Sequence, residues 1–252
     1  MPAERPAAPR VVILQHARAG LPGLIAEVLR ERRLTIDTRF PVEGDALPAS
    51  PAEFDGLVVM GGFMSANADD VCPHFPALLA LLRASAEQSR PVLGVCLGAQ
   101  LVARAWGGAV HESRAKEFGY HGLERTPEAA EDPLAGALPT RCHVMQWHAD
   151  TFDLPPGATL LLRGVDGLNQ ALRIGEAVYG FQCHLEVTEA MLRDWSTEEA
   201  HATGRDPAAL MAEIGGQYAE YGRTAAAAAR ELAGRWVDLV ERNARRRREG
   251  PA

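Results

Sequence analysis

The first half of the chain alternates short apolar runs with longer stretches of helical periodicity. The apolar runs predict strands at 11–15, 34–39, 54–60 and 91–95. The periodic stretches predict helices at about 22–33, 75–88 and 97–106. Short apolar strands that alternate with helices are typical of a parallel sheet with helices on both faces. The pattern therefore predicts an α/β fold with a mainly parallel central sheet.

The rhythm changes after Ala109, where strand-like pieces follow one another without long helices between them. These pieces lie at 119–124, 143–147, 159–163, 170–174 and 177–182. They predict a small antiparallel section laid against the parallel core. Residues 189–248 are rich in Ala and Glu and predict helices, with breaks at 204–207 and around Gly215-Gly216.

This organisation predicts one main domain. We expect a disordered leader over residues 1–10, the α/β domain over 11–188, and a helical C-terminal extension over 189–252 packed on that domain. The leader has no apolar segment of the signal-peptide kind, and no stretch reaches the length of a transmembrane helix. No association with a membrane is expected.

Composition narrows the function classes. A formal net charge of −7 argues against nucleic-acid binding, which needs a basic surface. The exception is the run Arg245 to Arg248, which we interpret as a solvated end. The four cysteines contain no C-x-x-C pair, a pattern that favours neither a disulfide framework nor a zinc site. A reducing, cytoplasmic location is expected.

The segment Gly94-Val95-Cys96-Leu97-Gly98 carries the strongest chemical signal. A predicted strand runs directly into a predicted helix, and a thiol stands at the corner between two glycines. Such a turn holds its side chain out at the carboxyl edge of the sheet, and the helix N-terminus favours thiolate over thiol. Cys96 is therefore a candidate nucleophile. The alternative at this point is a buried structural cysteine.

A cysteine nucleophile needs a base that a third group orients. His184 and Glu186 follow the apolar strand at 177–182, and their period-two spacing places them on one face. Glu186 could then hold the imidazole in one tautomer. Zinc deaminases also carry H-x-E, but with a downstream P-C-x-x-C that is absent here. A lone structural histidine is the simpler alternative.

Gly61-Gly62-Phe63-Met64-Ser65 follows the strand that ends at Met60. Its backbone amides could meet an oxyanion, together with the amide of Leu97. An ordinary glycine turn is the alternative, and the segment lacks the lysine of a nucleotide-binding P-loop.

These segments, in this order, resemble the class I (triad) glutamine amidotransferases. The family carries a G-x-C-x-G elbow and a late H-P-E, and this chain reads GVCLGAQ and CHLE. The likeness covers roughly residues 11–188 and is greatest to stand-alone proteins similar to the amidotransferase domain of GMP synthase. Such proteins also resemble this chain at VVMGGFMS, QWHADTFDLPPGATLL and NQALRIG. The resemblance implies a flavodoxin-like layering of helices and sheet.

The resemblance also implies roles for individual residues. Cys96 matches the nucleophile, His184 the general base and acid, and Glu186 the group that orients the histidine. The resemblance further implies an oxyanion hole and a substrate-binding set: the backbone donors Gly62 and Leu97, and Gly61, Gln100, Gln146, Trp147 and His148 around the glutamine. Leu185 replaces the usual proline of H-P-E, and Phe63 replaces the proline that commonly follows the double glycine.

The implied activity is hydrolysis of a γ-glutamyl amide through a cysteine thioester, with neither metal nor organic cofactor. Glutamine or another γ-glutamyl compound is the expected substrate, and a synthetase subunit is a candidate partner for the released ammonia. A γ-glutamyl peptidase or hydrolase is the alternative within the same chemistry. A non-catalytic binding or regulatory protein is the alternative of another class, although the complete set of Cys96, His184 and Glu186 argues against it. The same H-x-E pair argues against a redox-sensor role for Cys96.

Overall fold

The computed structural model describes residues 7–249, and within that range the strands form one mixed sheet. The strands are β1 Arg10–Leu14, β2 Thr35–Arg39, β3 Gly56–Val59, β4 Val92–Val95, β5 Val110–Arg125, β6 Arg141–Phe152, β7 Thr159–Gly164, β8 Asn169–Ile174 and β9 Val178–Phe181. Their order across the sheet is β2-β1-β3-β4-β9-β8-β7-β5-β6. In this order, β2, β1, β3, β4 and β9 are parallel to one another. The remaining neighbours, from β9–β8 to β5–β6, pair in the antiparallel sense.

Helices cover both faces of the parallel part. They are α1 Gly23–Glu31, α2 Phe75–Glu87, α3 Leu97–Ala105, α4 Glu189–Thr203, α5 Pro207–Gln217 and α6 Arg223–Glu249. Val11 and Ile13 pack into the core under α1 and α6, whereas Val12 and Leu14 pack into the core under α2 and α3. This alternation is the period-two geometry of a strand that is buried on both faces. The predicted α/β class is therefore confirmed.

The long helix α6 closes one face of the sheet over β3. Trp236 is fully buried, and its ring occupies the space that a side chain at position 56 would need. A Cβ on Gly56 would lie 2.9 Å from the Trp236 ring and 2.8 Å from Val240. Arg230 of α6 also pairs with Glu27 of α1 at 2.9 Å. The C-terminal helix is therefore part of the main core.

The predicted antiparallel section is present and is larger than the sequence indicates. It continues the parallel sheet, because β8 pairs with β9. β5 and β6 are also much longer than predicted, at 16 and 12 residues. The polar segment at 111–117 lacks the apolar pattern that predicts a strand. It belongs to an irregular ribbon whose register shifts between Glu112 and Glu117.

Two further boundaries differ from the prediction or lie beyond the described residues. The predicted break at Gly215-Gly216 is wrong, because α5 runs through both glycines to Gln217 and a π-helical turn, Tyr218–Gly222, leads into α6. Residues 1–6 of the predicted leader and 250–252 of the predicted extension lie outside the described residues, and β1 begins at Arg10. No described helix is both long enough and apolar enough to cross a membrane.

A third apolar cluster fixes α4 and α5 against the β5–β6 ribbon. It includes Met145 of β6, Trp195 of α4 and Ile214 of α5, all of them buried. Because the segment after β9 bonds to Met145 of β6, this packing brings α4 to the carboxyl edge of the parallel strands. The edge is where open α/β sheets bind their ligands.

Candidate active site

Cys96 stands at the corner between β4 and α3 with φ +52° and ψ −110°. Positive φ is strained for a residue with a side chain, and such strain persists where the surroundings enforce it. A Cβ on Gly94 would lie 2.5 Å from the carbonyl oxygen of Gly98, and one on Gly98 would lie 2.0 Å from that of Val59. Only glycines fit at both positions, so the G-x-C-x-G spacing is a steric requirement of this turn.

We expect Gly98→Ala to destabilise the fold by about 3 kcal/mol, because the new methyl group would meet a strand carbonyl that cannot move freely. Gly216→Ala is the matched control: nothing lies within 4 Å of a Cβ there, and alanine is the better helix former by about 1 kcal/mol. Urea unfolding of both variants measures the difference. Equal stabilities would contradict the steric account of the elbow.

Cys96 lines a cavity of about 410 Å³ at the carboxyl edge of the parallel strands. This volume is typical of small-molecule sites. Eight predicted site residues line it: Gly61, Gly62, Cys96, Gln100, Trp147, His148, His184 and Glu186. Leu97 and Gln146 are not among the lining residues. The side chain of Gln146 is fully buried and contacts Nε2 of His148 through its Oε1 at 3.1 Å.

His184 and Glu186 form a buried pair, with Nδ1 of the imidazole 2.7 Å from Oε1 of the carboxylate. The backbone N–H of His184 donates to the carbonyl of Met145 at 2.8 Å, which anchors this segment to β6. The Trp195 ring packs edge-on against the imidazole, with centroids 4.7 Å apart. Glu186 and Trp195 therefore hold the imidazole from two sides.

Burial alone would lower the pKa of His184, but the Glu186 carboxylate and the Cys96 sulfur outweigh it and raise that pKa to about 10. The imidazole therefore carries its proton at neutral pH. Nδ1 is engaged by Glu186, so Nε2 is the ring nitrogen left to serve the Cys96 sulfur and a molecule in the cavity.

The Cys96 side chain and the His184 ring converge on Gly61. A Cβ at Gly61 would lie 3.4 Å from Cβ of Cys96 and 3.6 Å from Cε1 of His184. The sulfur also contacts the carbonyl oxygen of Trp147 at 3.8 Å and Nε2 of Gln182 at 3.7 Å. The thiol, the imidazole and the turn after β3 therefore meet at one point of the cavity.

Gly62 and Leu97 lie side by side at this point. A Cβ on Gly62 would be 3.0 Å from Cδ2 of Leu97. Leu97 is the first residue of α3, and the first N–H groups of a helix have no acceptor within the helix. The Leu97 N–H therefore begins α3 beside Gly62, where the sequence predicts the two backbone donors of an oxyanion hole.

Gln100 lies one turn into α3, with its amide nitrogen already engaged. Nε2 donates to the carbonyl oxygen of Asp150 and to Oε1 of Gln182, both at 3.1 Å. The orientation leaves its own carbonyl oxygen as the acceptor for a ligand. Asp150, which lines the same part of the cavity, accepts a hydrogen bond from Ser65 at 2.9 Å.

Several residues at the site are not predicted from the sequence. Gln182 could have been found, since it precedes His184 and Glu186 in the same period-two alternation and shares their face. Trp195 and Glu199 could not, because only the packing of α4 on β5 and β6 brings them to the site. No group of three or more His, Cys, Asp or Glu residues among 7–249 is arranged to hold a metal ion.

We expect Glu186→Gln to lower the pKa of His184, because the substitution removes the carboxylate that favours the imidazolium. Since this pKa is raised above its unfolded value of 6.5, the pair stabilises the fold fully below about pH 6.5 and loses that stabilisation as the pH rises through about 10. NMR titration of the imidazole measures the shift. An unchanged pKa in the variant would show that Glu186 does not govern the protonation of His184.

Comparison with known proteins gives consistent matches. The family model described as "Glutamine amidotransferase class-I" matches residues 20–193. The glutamine amidotransferase-like protein YfeJ of Salmonella typhimurium is 33% identical over 203 residues, which cover 78% of this chain and 85% of the relative. A glutamine-hydrolysing GMP synthase subunit of Haloarcula marismortui is 34% identical over 147 residues, 56% of this chain and 68% of the relative.

A solved structure extends the likeness to nearly the whole fold. The glutamine amidotransferase from Methylobacillus flagellatus superimposes with a TM-score of 0.82 at 32% identity, covering 92% of this chain and 96% of the other. The family match spans more than half of the chain and contains the elbow and the His184–Glu186 pair. The protein is therefore a member of the class I glutamine amidotransferase family.

Proposed function

We propose that the protein hydrolyses a γ-glutamyl amide, with glutamine as the reference substrate, through a thioester on Cys96. The observation that carries this proposal is the convergence of the strained Cys96 elbow and the buried His184–Glu186 pair on Gly61, within one cavity. Each group belongs to a different strand end, so their meeting depends on the whole fold. This geometry supports the roles of nucleophile, base and orienting group that covalent catalysis requires.

The chemistry follows from the positions of these groups. Cys96 gives its proton to His184, so the reacting pair is a thiolate beside an imidazolium, and the thiolate attacks the side-chain carbonyl carbon of the substrate. The amides of Gly62 and Leu97 hold the negative oxygen of the tetrahedral intermediate. The imidazolium then gives its proton to the departing nitrogen as the C–N bond breaks. Water, activated by the same imidazole, hydrolyses the thioester to glutamate and restores the thiol.

The remaining lining residues would hold the glutamyl end. The carbonyl oxygen of Gln100 and the carboxylate of Asp150 are acceptors suited to the α-ammonium group. The backbone from Trp147 to His148 would bind beside them, since the Trp147 carbonyl already contacts the Cys96 sulfur. In this proposal Gln146 acts only through His148, which its side chain supports.

Two fates for the nitrogen fit this chemistry. The similarity to a glutamine-hydrolysing subunit of GMP synthase supports transfer of ammonia to a synthetase partner. A hydrolase would instead release the product without a partner. An assay of the purified protein for glutamate and ammonia, with glutamine and with N-substituted γ-glutamyl amides, separates the two.

Brisk turnover by the protein alone would support the hydrolase, and activity that appears only with a synthetase encoded beside it would support the amidotransferase. Absence of glutamate release from every γ-glutamyl amide, with and without such a synthetase, would contradict the proposed function.

A further inference from the structure

The cavity extends well beyond the thiol, along one face of α4. Trp195, Glu198, Glu199 and Ala202 line it and recur at the three- and four-residue spacing of a single helix face. All four lie after residue 193, where the family match ends. Glutamine carries only hydrogens on its amide nitrogen, so it would leave this wall without a contact. The wall is therefore suited to a substituent on that nitrogen.

A row of aromatic rings leads from the imidazole towards the cavity mouth. The ring centroids lie 4.7 Å apart for Trp195 and His184, 5.1 Å for Trp147 and Trp195, and 5.5 Å for Phe63 and Trp147. Phe63 is 60% exposed, which is unusual for a side chain of this size and apolarity. Because His184 would protonate the leaving nitrogen, a chain attached to that nitrogen would start at the first ring of this row.

The wall around the rings is negatively charged. Glu199 is buried and already satisfied, since its Oε2 accepts from Nζ of Lys116 at 2.7 Å and from Nε1 of Trp147 at 2.8 Å. Lys116 is the only Lys or Arg residue in the described lining, and Glu199 neutralises its charge. Glu198 is exposed and has no ion-pair partner among residues 7–249. One carboxylate therefore remains free beside the aromatic row.

Aromatic faces next to a free carboxylate are the surroundings that bind an organic ammonium group. We infer that the α4 wall is a leaving-group subsite for γ-glutamyl amides whose nitrogen carries an alkyl chain with a terminal ammonium group. The inference rests on the proposed function, since it names the substrate class of the same site. Hydrolysis breaks the C–N bond, transfers the acyl group to sulfur and then to water, and releases a diamine that has gained one proton.

The test compares two substrates of equal length, the N-(4-aminobutyl) and the N-pentyl γ-amides of glutamate, by their kcat/KM for glutamate release. We expect the charged substrate to be preferred about tenfold, the combined size of one cation–π contact and one exposed ion pair. Glu198→Gln should reduce that ratio to about threefold, the preference that the cation–π contact alone supplies. Asp194→Asn is the matched control, because Asp194 is an exposed carboxylate on the same helix outside the cavity lining, and it should leave the ratio unchanged.

Equal rates for the two substrates, or a ratio that Glu198→Gln leaves intact, would overturn the inference. Calorimetric binding of both amides to Cys96→Ala separates this failure from failure of the proposed function. A binding preference without any turnover by the native protein would support the subsite and contradict the chemistry. Turnover of glutamine without a preference between the two amides would support the chemistry and contradict the subsite.

Discussion

Cys96→Ser should reduce kcat for γ-glutamyl amide hydrolysis by at least about 10⁴-fold. The substitution changes one atom and keeps the shape of the elbow, but a hydroxyl ionises far less readily than a thiol and attacks an amide poorly without a base tuned to it. Residues that act as a catalytic unit lose most of the rate when the nucleophile is removed. The measurement is a steady-state assay of glutamate release.

Cys142→Ser is the control for this experiment. Cys142 is a half-buried free thiol that lies outside the cavity lining, and we expect its variant to stay within about twofold of the native rate. A Cys96→Ser protein that keeps about one part in a hundred of the native rate would exclude the thiol as nucleophile.

His184→Gln should reduce kcat by about 10³-fold to 10⁴-fold, since it removes both the acceptor of the thiol proton and the donor to the leaving nitrogen. Glutamine keeps a polar side chain in the buried position beside Glu186, so the loss reports chemistry more than folding. The double variant with Cys96→Ser should be no slower than Cys96→Ser alone, because the two groups act in the same steps.

Two comparisons check this second prediction. Glu186→Ala should retain more activity than His184→Gln, because the carboxylate orients the imidazole and touches no reacting atom. His111→Gln replaces an exposed histidine outside the cavity lining and should have little effect. Equal losses for Glu186→Ala and His184→Gln would assign Glu186 a more direct part in the reaction.

The parallel half of the fold could be predicted from the sequence because most of its strands are short and apolar, and because amphipathic helices follow β1, β3 and β4. The elbow could be predicted because it depends on residues that are close in the sequence. Gly94 and Gly98 are required by steric contacts around the turn itself. Strand periodicity alone places His184 and Glu186 on one face, and the structure joins them at 2.7 Å.

The remainder depends on contacts between distant parts of the chain. The polar β5–β6 ribbon owes its length to pairing between strands and to α4 and α5 packed on it, which no window of sequence encodes. Glu199 is 83 residues from Lys116 and 52 from Trp147, yet it binds both. The glycines at 215 and 216 cost helix stability locally, but α5 passes through them, because Ile214 and Leu210 are buried in the third cluster.

Covalent labelling tests the central claim most directly. The protein is treated with a diazoketone analogue of glutamine, with and without excess glutamine, and peptide mass spectrometry locates the label among its four cysteines. We expect one label per chain, on Cys96, formed at a rate that glutamine slows. A label on Cys72, Cys142 or Cys183, or an unlabelled protein that nevertheless hydrolyses γ-glutamyl amides, would contradict it.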